Sequence, residues 1–353
     1  MYRSLLIALL ALAHAALPGP AEAQKPSRVK TSQRTGIPYA AHEEAMRFAD
    51  EVAQRRGLDA EWTRRAIGQA QQLALVTRLM QPAPSGTPKN WALYRSRFID
   101  PIRIRAGVRF WQDHRSWLER AEKEYGVPAE IIVGIIGVET IYGQQMGDFR
   151  VIDALATLSF HFPEAHPRAT ERRAYFRGEL EQFLSLLQRS GADPLDPVGS
   201  YAGAMGMPQF MPSSWVKYAV DFDGDGRVDL AGSPGDVIGS VANYFVGYGW
   251  KPGMPTHYPV GFDPARLDKE ALLAPDILPT FSVESFTAKG AVLEGPALAH
   301  GGPLALVELQ NGNAPPSYVA GTENFYVITR YNWSSYYAMA VIELGREVKA
   351  ALP

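Results

Sequence analysis

The 353-residue sequence contains no cysteine. Disulfides, thiolate metal sites and a cysteine nucleophile are therefore excluded, and so is a lipid-modified N-terminal cysteine. Net charge is nearly absent: 35 Lys and Arg stand against 37 Asp and Glu, a formal balance of −2. That balance gives no long-range electrostatic reason to bind nucleic acid or an anionic membrane surface. Long apolar runs are missing too. The stretch Leu5–Ala16 is too short to span a bilayer comfortably, and the run Ile131–Val138 is brief and followed by Glu139. No transmembrane segment is expected. His161 and His166 lack an H-E-x-x-H pattern, and Ser200 and Ser213 lack a G-x-S-x-G elbow. Zinc or serine hydrolysis is thus unsupported, and without a Lys after the glycines there is no phosphate loop.

What is present reads as an exported globular chain. Arg3, the apolar stretch and Ala21-Glu-Ala23 have the order of a secretory signal over 1–23. With no lipid-accepting cysteine, the expectation is a soluble periplasmic protein. Residues 24–40 read as a flexible leader, 41–126 as a helical N-terminal region and 127–251 as a core. Pro and Gly recur from 252 to 324 among short apolar segments, which predicts a small β-rich domain. A last strand over Phe325–Thr329 and a helix capped by Asn332 would complete 325–353. Asp59 is expected to cap a helix running through Leu79, and the next long helix places His114 at a core or boundary position.

Glu139 calls for explanation. Ile131, Ile135 and Val138 form one apolar stripe of a helix that starts after Pro128 and ends near Gly143. A carboxyl in the last turn is disfavoured as an anion by burial and by the negative helix end. Both effects raise its pKa toward that of a general acid. The competing reading is a structural Glu paired with a buried Arg.

A second segment, Gly199–Trp215, combines close-approach glycines, the hydrogen-bonding side chains of Ser200, Tyr201 and Gln209, and the apolar faces of Met205, Met207, Phe210 and Trp215. That mixture suits sugars, and a tightly packed structural turn is the alternative. A third, Asp221-Phe-Asp-Gly-Asp-Gly-Arg-Val-Asp229, supplies oxygens at positions 1, 3 and 5 and Gly at 6. This is the first half of an EF-hand calcium loop, with the Arg227 carbonyl at position 7. Position 12 is Gly232, so the usual closing Glu is missing.

Taken together, the chain from about Trp91 onward resembles the family B lytic transglycosylases of bacterial cell walls. The residues that carry the resemblance are Gly137-Val-Glu-Thr-Ile-Tyr-Gly143, Asp153-Ala-Leu-Ala-Thr-Leu-Ser-Phe160, Gly199-Ser-Tyr-Ala-Gly-Ala-Met-Gly206 and Gln209-Phe-Met-Pro-Ser-Ser214. Gly239–Phe245, Thr329–Asn332 and Tyr337–Val341 continue it in the same order. The resemblance implies a mainly α, lysozyme-like fold and cleavage of the β-1,4 bond between N-acetylmuramic acid and N-acetylglucosamine, with a 1,6-anhydro product. It implies Glu139 as the single acid/base, and Ser200, Gln209, Tyr244, Tyr331, Tyr337 and Tyr94 as sugar-binding residues, Tyr331 nearest the carboxyl. It also implies a structural Ca2+ on Asp221, Asp223, Asp225, the Arg227 carbonyl and Asp236, with Asp229 as the competing last ligand. Peptidoglycan glycan strands would be the substrate of a monomeric enzyme, and cell-wall synthesis or division proteins its candidate partners. A hydrolytic muramidase and a non-catalytic wall-binding scaffold remain the rival readings.

Overall fold

The structure is a computed structural model that describes residues 36–82 and 88–353. The expected signal segment and most of the expected leader lie outside the described residues. In chain order come β1 (Ile37–Pro38), α1 (Glu43–Arg56), α2 (Ala60–Gln69), β2 (Gln71–Gln72) and α3 (Ala74–Leu79). Next are α4 (Trp91–Arg95), α5 (Pro101–Asp113), α6 (Arg115–Tyr125), α7 (Ala129–Thr140), β3 (Phe149–Arg150) and α8 (Val151–Phe160). They are followed by α9 (Ala169–Ser190), β4 (Val198–Gly199), α10 (Pro212–Tyr218), α11 (Pro234–Gly247), β5 (His257–Pro259) and β6 (Gly261–Phe262). The last are α12 (Lys269–Leu273), α13 (Val283–Ala288), β7 (Ala291–Val292), β8 (Ala305–Asn311), β9 (Ala314–Gly321), α14 (Glu323–Thr329) and α15 (Ser335–Ala350). The fold is mostly helical. Among the described residues no helix is long and apolar enough to cross a membrane.

Two compact units are built from this chain, each from separate stretches. One joins residues 88–145 to Tyr218–Pro353, and the other joins 36–82 to Met146–Lys217. The expected helical region 41–126 is therefore not one body: α1 to α3 belong with α8 and α9, and α4 to α6 belong with α7 and α15.

In the 36–82/146–217 unit the core gathers on α8, every residue of which is buried. Phe48 and Val52 of α1, Ile67 of α2 and Phe176, Leu180, Phe183 and Leu184 of α9 pack there. The polar groups of α8 are all bonded. Asp153 accepts from the Gln71 amide at 2.9 Å and pairs with Arg150 at 2.7 Å, while Thr157 Oγ1 accepts from the Leu73 amide at 3.0 Å. Those bonds correct two expectations. Asp59 does cap α2, its carboxylate accepting from the Trp62 amide, but the helix stops at Gln69 rather than reaching Leu79. Asp153 and Thr157 capture the next amides and hold Gln71–Gln72 extended. The expected leader also ends earlier than residue 40: β1 pairs with β2, and Tyr39 is buried with its hydroxyl 2.9 Å from His161 Nδ1.

In the other unit α7 lies directly on α15. A methyl group at Gly134 would strike the Val341 carbonyl, and one at Gly345 would strike the Glu130 carbonyl, so the two backbones meet with no side chain between them. The expected helix through Trp111 and Tyr125 is two helices broken at His114, which is half-buried against Phe110. Strands β5 to β9 all fall within the stretch expected to be β-rich, with α12 and α13 among them. Three of them form an antiparallel sheet in the order β5-β9-β8, pairing His257 with Gly321 and Leu306 with Ala320. The expected strand Phe325–Thr329 is instead helix α14, started by Thr322, whose hydroxyl accepts from the Asn324 amide. Its aromatic and β-branched residues favour strands only weakly, and burial of Phe325, Ile328 and Thr329 on one helical side prevails. Ser334 rather than Asn332 caps α15.

Candidate active site

Every residue of α7 from Ile131 to Val138 is buried, as in a helix that is apolar all round. Glu139 follows in the last turn and is half-buried. The helix then stops abruptly at Thr140, three residues before the expected Gly143. Ile141 and Tyr142 both take left-handed backbone angles, with φ of 51° and 57°. For a β-branched residue this is a strained conformation that the surroundings must enforce. Here the Ile141 and Tyr142 amides close back on the Gly137 and Ile136 carbonyls at 3.2 Å each. Glu139 is thus held at the carbonyl end of a terminated helix, where a negative charge is disfavoured.

The partner of Glu139 comes from α15. Tyr337, in its first turn, donates its hydroxyl proton to Glu139 Oε1. Burial pushes the Glu139 carboxyl from its ordinary 4.5 up to about 7, with the Tyr337 bond pulling in the opposite direction. No Arg or Lys pairs with Glu139 among the described residues, so the structural ion-pair reading fails. Nor does a neighbouring carboxylate contribute to its shift.

Four of the expected sugar-binding tyrosines lie in this unit with Glu139. The Tyr331 ring stacks on Tyr337 at 6.3 Å and 14° between planes, and approaches Tyr244 at 4.7 Å. Tyr244 is almost fully buried and donates to the Arg330 carbonyl at 2.7 Å. Tyr94 on α4 packs against Trp91, Phe98 and Tyr336. Burial raises the phenol pKa of Tyr94, Tyr331 and Tyr337, and the Glu139 charge raises each further. The expectation that Tyr331 stands nearest the carboxyl is corrected. Tyr337 makes the direct bond because it projects from the turn of α15 laid against α7.

Ser200 and Gln209 belong to the other unit. Ser200 Oγ accepts from the Ala204 amide at 3.1 Å and the Ala202 amide at 3.3 Å, which closes its own loop. Gln209 has a left-handed φ of 50°, and its Nε2 donates to the Gly206 and Met146 carbonyls at 2.9 and 3.1 Å. The sequence reading missed the residue that anchors this loop. Glu179, buried on α9, accepts from the Ser213 amide at 2.9 Å and the Ser213 hydroxyl at 2.7 Å, so it fastens the start of α10. The signal was available: Phe176, Glu179, Leu180, Phe183 and Leu184 share one helical face, which puts a carboxyl inside an apolar stripe.

Asp221, Asp223 and Asp236 bring carboxylate oxygens within 4.8 Å of one another. Asp236 is fully buried and accepts from the amides of Phe222, Asp223 and Asp229 at 2.7, 3.2 and 2.8 Å. Among the described residues no Arg or Lys pairs with any of the three, so their charge fits a hard divalent cation. Asp225 and Asp229 are outside the cluster. Asp229 instead accepts from the Ala231 and Gly232 amides of its own turn.

Residues 40–346 match the family described as Transglycosylase SLT domain. The chain is 39% identical to the membrane-bound lytic murein transglycosylase B of Escherichia coli (strain K12), covering 93% of each protein. Among solved structures it resembles Escherichia coli lytic transglycosylase Slt35 in complex with bulgecin A, with a TM-score of 0.78 and 40% identity over 91% of this chain and 98% of that one. The same enzyme in complex with calcium matches with a TM-score of 0.77 and 40% identity, over 91% and 97%. Mostly helical and lysozyme-like, built around a protonatable Glu139 among tyrosines, the chain belongs to the Transglycosylase SLT domain family.

Proposed function

We propose that the chain is a lytic transglycosylase of bacterial peptidoglycan in which Glu139 acts first as acid and then as base. The observation that carries this reading is a half-buried carboxyl with a pKa of about 7, bonded to a phenol and to no cation. Protonated Glu139 gives its proton to the glycosidic oxygen between N-acetylmuramic acid and N-acetylglucosamine, and the C1–O bond breaks. The C6 hydroxyl of the muramoyl residue then attacks C1 and returns its proton to the Glu139 carboxylate. A 1,6-anhydro ring forms, no water is consumed, and the enzyme regains its starting protonation state. Hydrolysis would ordinarily call on a second carboxylate, and none affects Glu139 here.

In the same reading Tyr337 tunes Glu139, and Tyr331, Tyr244 and Tyr94 line the glycan-binding surface beside it. Ser200 and Gln209 hydrogen-bond sugar groups; Gln209 already donates from Nε2 to two carbonyls and offers Oε1 as acceptor. Asp221, Asp223 and Asp236 would hold Ca2+, with Asp225 and the Arg227 carbonyl completing the loop. The ion is structural, cancelling charge that would otherwise be buried on Asp236. Removing it with a chelator lowers the melting temperature, by an amount set by calcium concentration relative to its Kd. An unchanged melting curve would remove the ion from the account. The enzyme works in the periplasm on glycan strands, as a monomer, with wall-synthesis or division proteins as candidate partners.

Mass spectrometry of the soluble products from purified sacculi, comparing wild type with Glu139→Gln, is the deciding test. Muropeptides lighter by one water than hydrolytic products, formed by wild type alone, are expected. Reducing-end products would make the chain a muramidase. Binding of sacculi with no release by wild type would make it a scaffold.

A further inference from the structure

Arg330 stands one residue before Tyr331, and its side chain lies against three aromatic rings. The guanidinium carbon is 5.3 Å from the ring centre of Tyr248, 5.5 Å from that of Tyr326 and 5.3 Å from that of Trp333. Tyr326 also accepts a hydrogen bond from Arg330 Nη1 at 3.0 Å. No carboxylate joins this group, since Arg330 forms no ion pair among the described residues. Other arginines set on rings do. Arg103 lies over Phe98 and pairs with Asp100, Arg120 lies over Phe222 and pairs with Glu124, and Arg177 lies over Phe160 and pairs with Glu44. Ring faces stabilise a guanidinium charge but do not match its planar fork of N–H donors. Of the five donors such a group carries, the fold uses one here. Arg330 and its three rings are half-buried, so the unused donors are not sealed in the core.

Ring contacts connect this cation to Glu139. Tyr248 meets Tyr244 at 4.6 Å, Tyr244 meets Tyr331 at 4.7 Å, and Tyr331 stacks on Tyr337, which bonds Glu139. Four tyrosines in successive contact thus run from Arg330 to the carboxyl, and three of them are the expected sugar-binding residues. An N-acetylglucosamine residue is neutral and offers an unpaired cation nothing. An N-acetylmuramoyl residue carries a lactyl ether, which ends in a carboxylate or continues into a peptide that bears one. A planar carboxylate meets the guanidinium fork through two parallel hydrogen bonds. We propose that Arg330 binds a carboxylate on the lactyl branch of a muramoyl residue, the shared group being the lactyl carboxylate or one on the attached peptide. The three rings hold the guanidinium in place without consuming the donors that this contact needs. Arg330 then selects muramoyl residues by charge, where the tyrosines bind sugar rings by shape. The assignment rests on the peptidoglycan reading given above.

The test is a calorimetric titration of the full chain carrying Glu139→Gln with soluble glycan strands, so that binding is read without cleavage. Strands with their peptides are compared with strands stripped by an amidase, which frees the lactyl carboxylate. Each preparation is also used with its carboxylates converted to neutral methylamides. Adding Arg330→Gln is expected to weaken binding of the carboxylate-bearing strands about tenfold or more and to leave binding of the methylamides unchanged. Arg330→Lys, which keeps the charge and loses the fork, is expected to fall between. Weakening confined to the peptide-bearing strands assigns the contact to a peptide carboxylate, and weakening confined to the stripped strands assigns it to the lactyl group. Equal weakening of charged and neutral strands would overturn the proposal and make Arg330 a packing residue. Unchanged binding after Arg330→Gln, or no binding of any strand before it, would overturn the proposal as well. Failure of the transglycosylase reading would appear separately, in the products released by wild type.

Discussion

Glu139 on α7 and Glu179 on α9 are both carboxyls set on the apolar faces of helices, and burial raises the pKa of each. Their partners separate them. Glu179 accepts from the Ser213 amide, the Ser213 hydroxyl and Tyr175, so its oxygens are occupied by the fold. Glu139 receives one proton, from Tyr337, and keeps lone pairs for something outside the chain. Two residues beyond Glu179, Glu181 shows the third arrangement: Arg55 and Arg56 hold its carboxyl below the ordinary range. A buried carboxylate saturated by donors is an anchor, one paired with arginine is an ion bridge, and one left mostly unbonded is a reagent.

That contrast can be broken by exchanging amides for acids. Glu139→Gln should lower the rate of muropeptide release by about 10²–10⁴-fold or more, with an unchanged melting curve at acid pH; comparable loss from Glu179→Gln would erase the distinction. pH sharpens the comparison next. Because folding raises the Glu139 pKa from 4.5 to about 7, the folded chain holds a proton that the unfolded chain releases between those values. Its stability contribution therefore falls as pH rises through that window, by about 3 kcal/mol in all. Urea titrations of wild type against Glu139→Gln should converge near pH 4.5 and diverge toward pH 7, with the variant more stable. The wild-type kcat/KM should also decline above about pH 7 as the acid is lost.

Glu179→Ala should act on stability instead, costing about 2 kcal/mol because the half-buried Ser213 amide and hydroxyl lose their acceptor. A urea midpoint that did not move would show that α10 does not need the bond. The smallest effect is expected from Tyr337→Phe. Removing a hydrogen bond that favours the charged form should move the alkaline limb of the rate profile upward by about one pH unit. A downward move would mean that the phenol serves Glu139 in some other way.

Much of this was legible in the sequence where one residue type violated its local pattern. Glu139 stood out because all eight preceding residues, 131–138, are apolar or glycine, and the Asp221 loop because aspartates alternated with glycines. Asp59 announced the start of α2 by the same local logic. The failures involve partners distant in sequence. Nothing near Ala70 tells that Asp153 and Thr157 will take the following amides and end the helix. Phe325–Thr329 has strand-forming residues, and only its packing makes it a helix. Tyr331 and Tyr337 are six residues apart with similar surroundings, so which one reaches Glu139 depends on how α15 lies on α7. Residues 24–40 read as a leader because a short polar stretch does not reveal that Tyr39 within it is buried.

The meeting of α7 and α15 through Gly134 and Gly345 has a consequence for anyone who would redesign this enzyme. The spacing between the carboxyl and its phenol is not adjustable by ordinary repacking, since hydrogen atoms stand where side chains would otherwise set the gap. Enlarging either glycine would wedge the helices apart and carry Tyr337 away from Glu139 before any change in acidity could be selected. A change in the working pH of such an enzyme therefore has to enter through the side chains around the carboxyl, because the backbone contact that sets their spacing has no room to move.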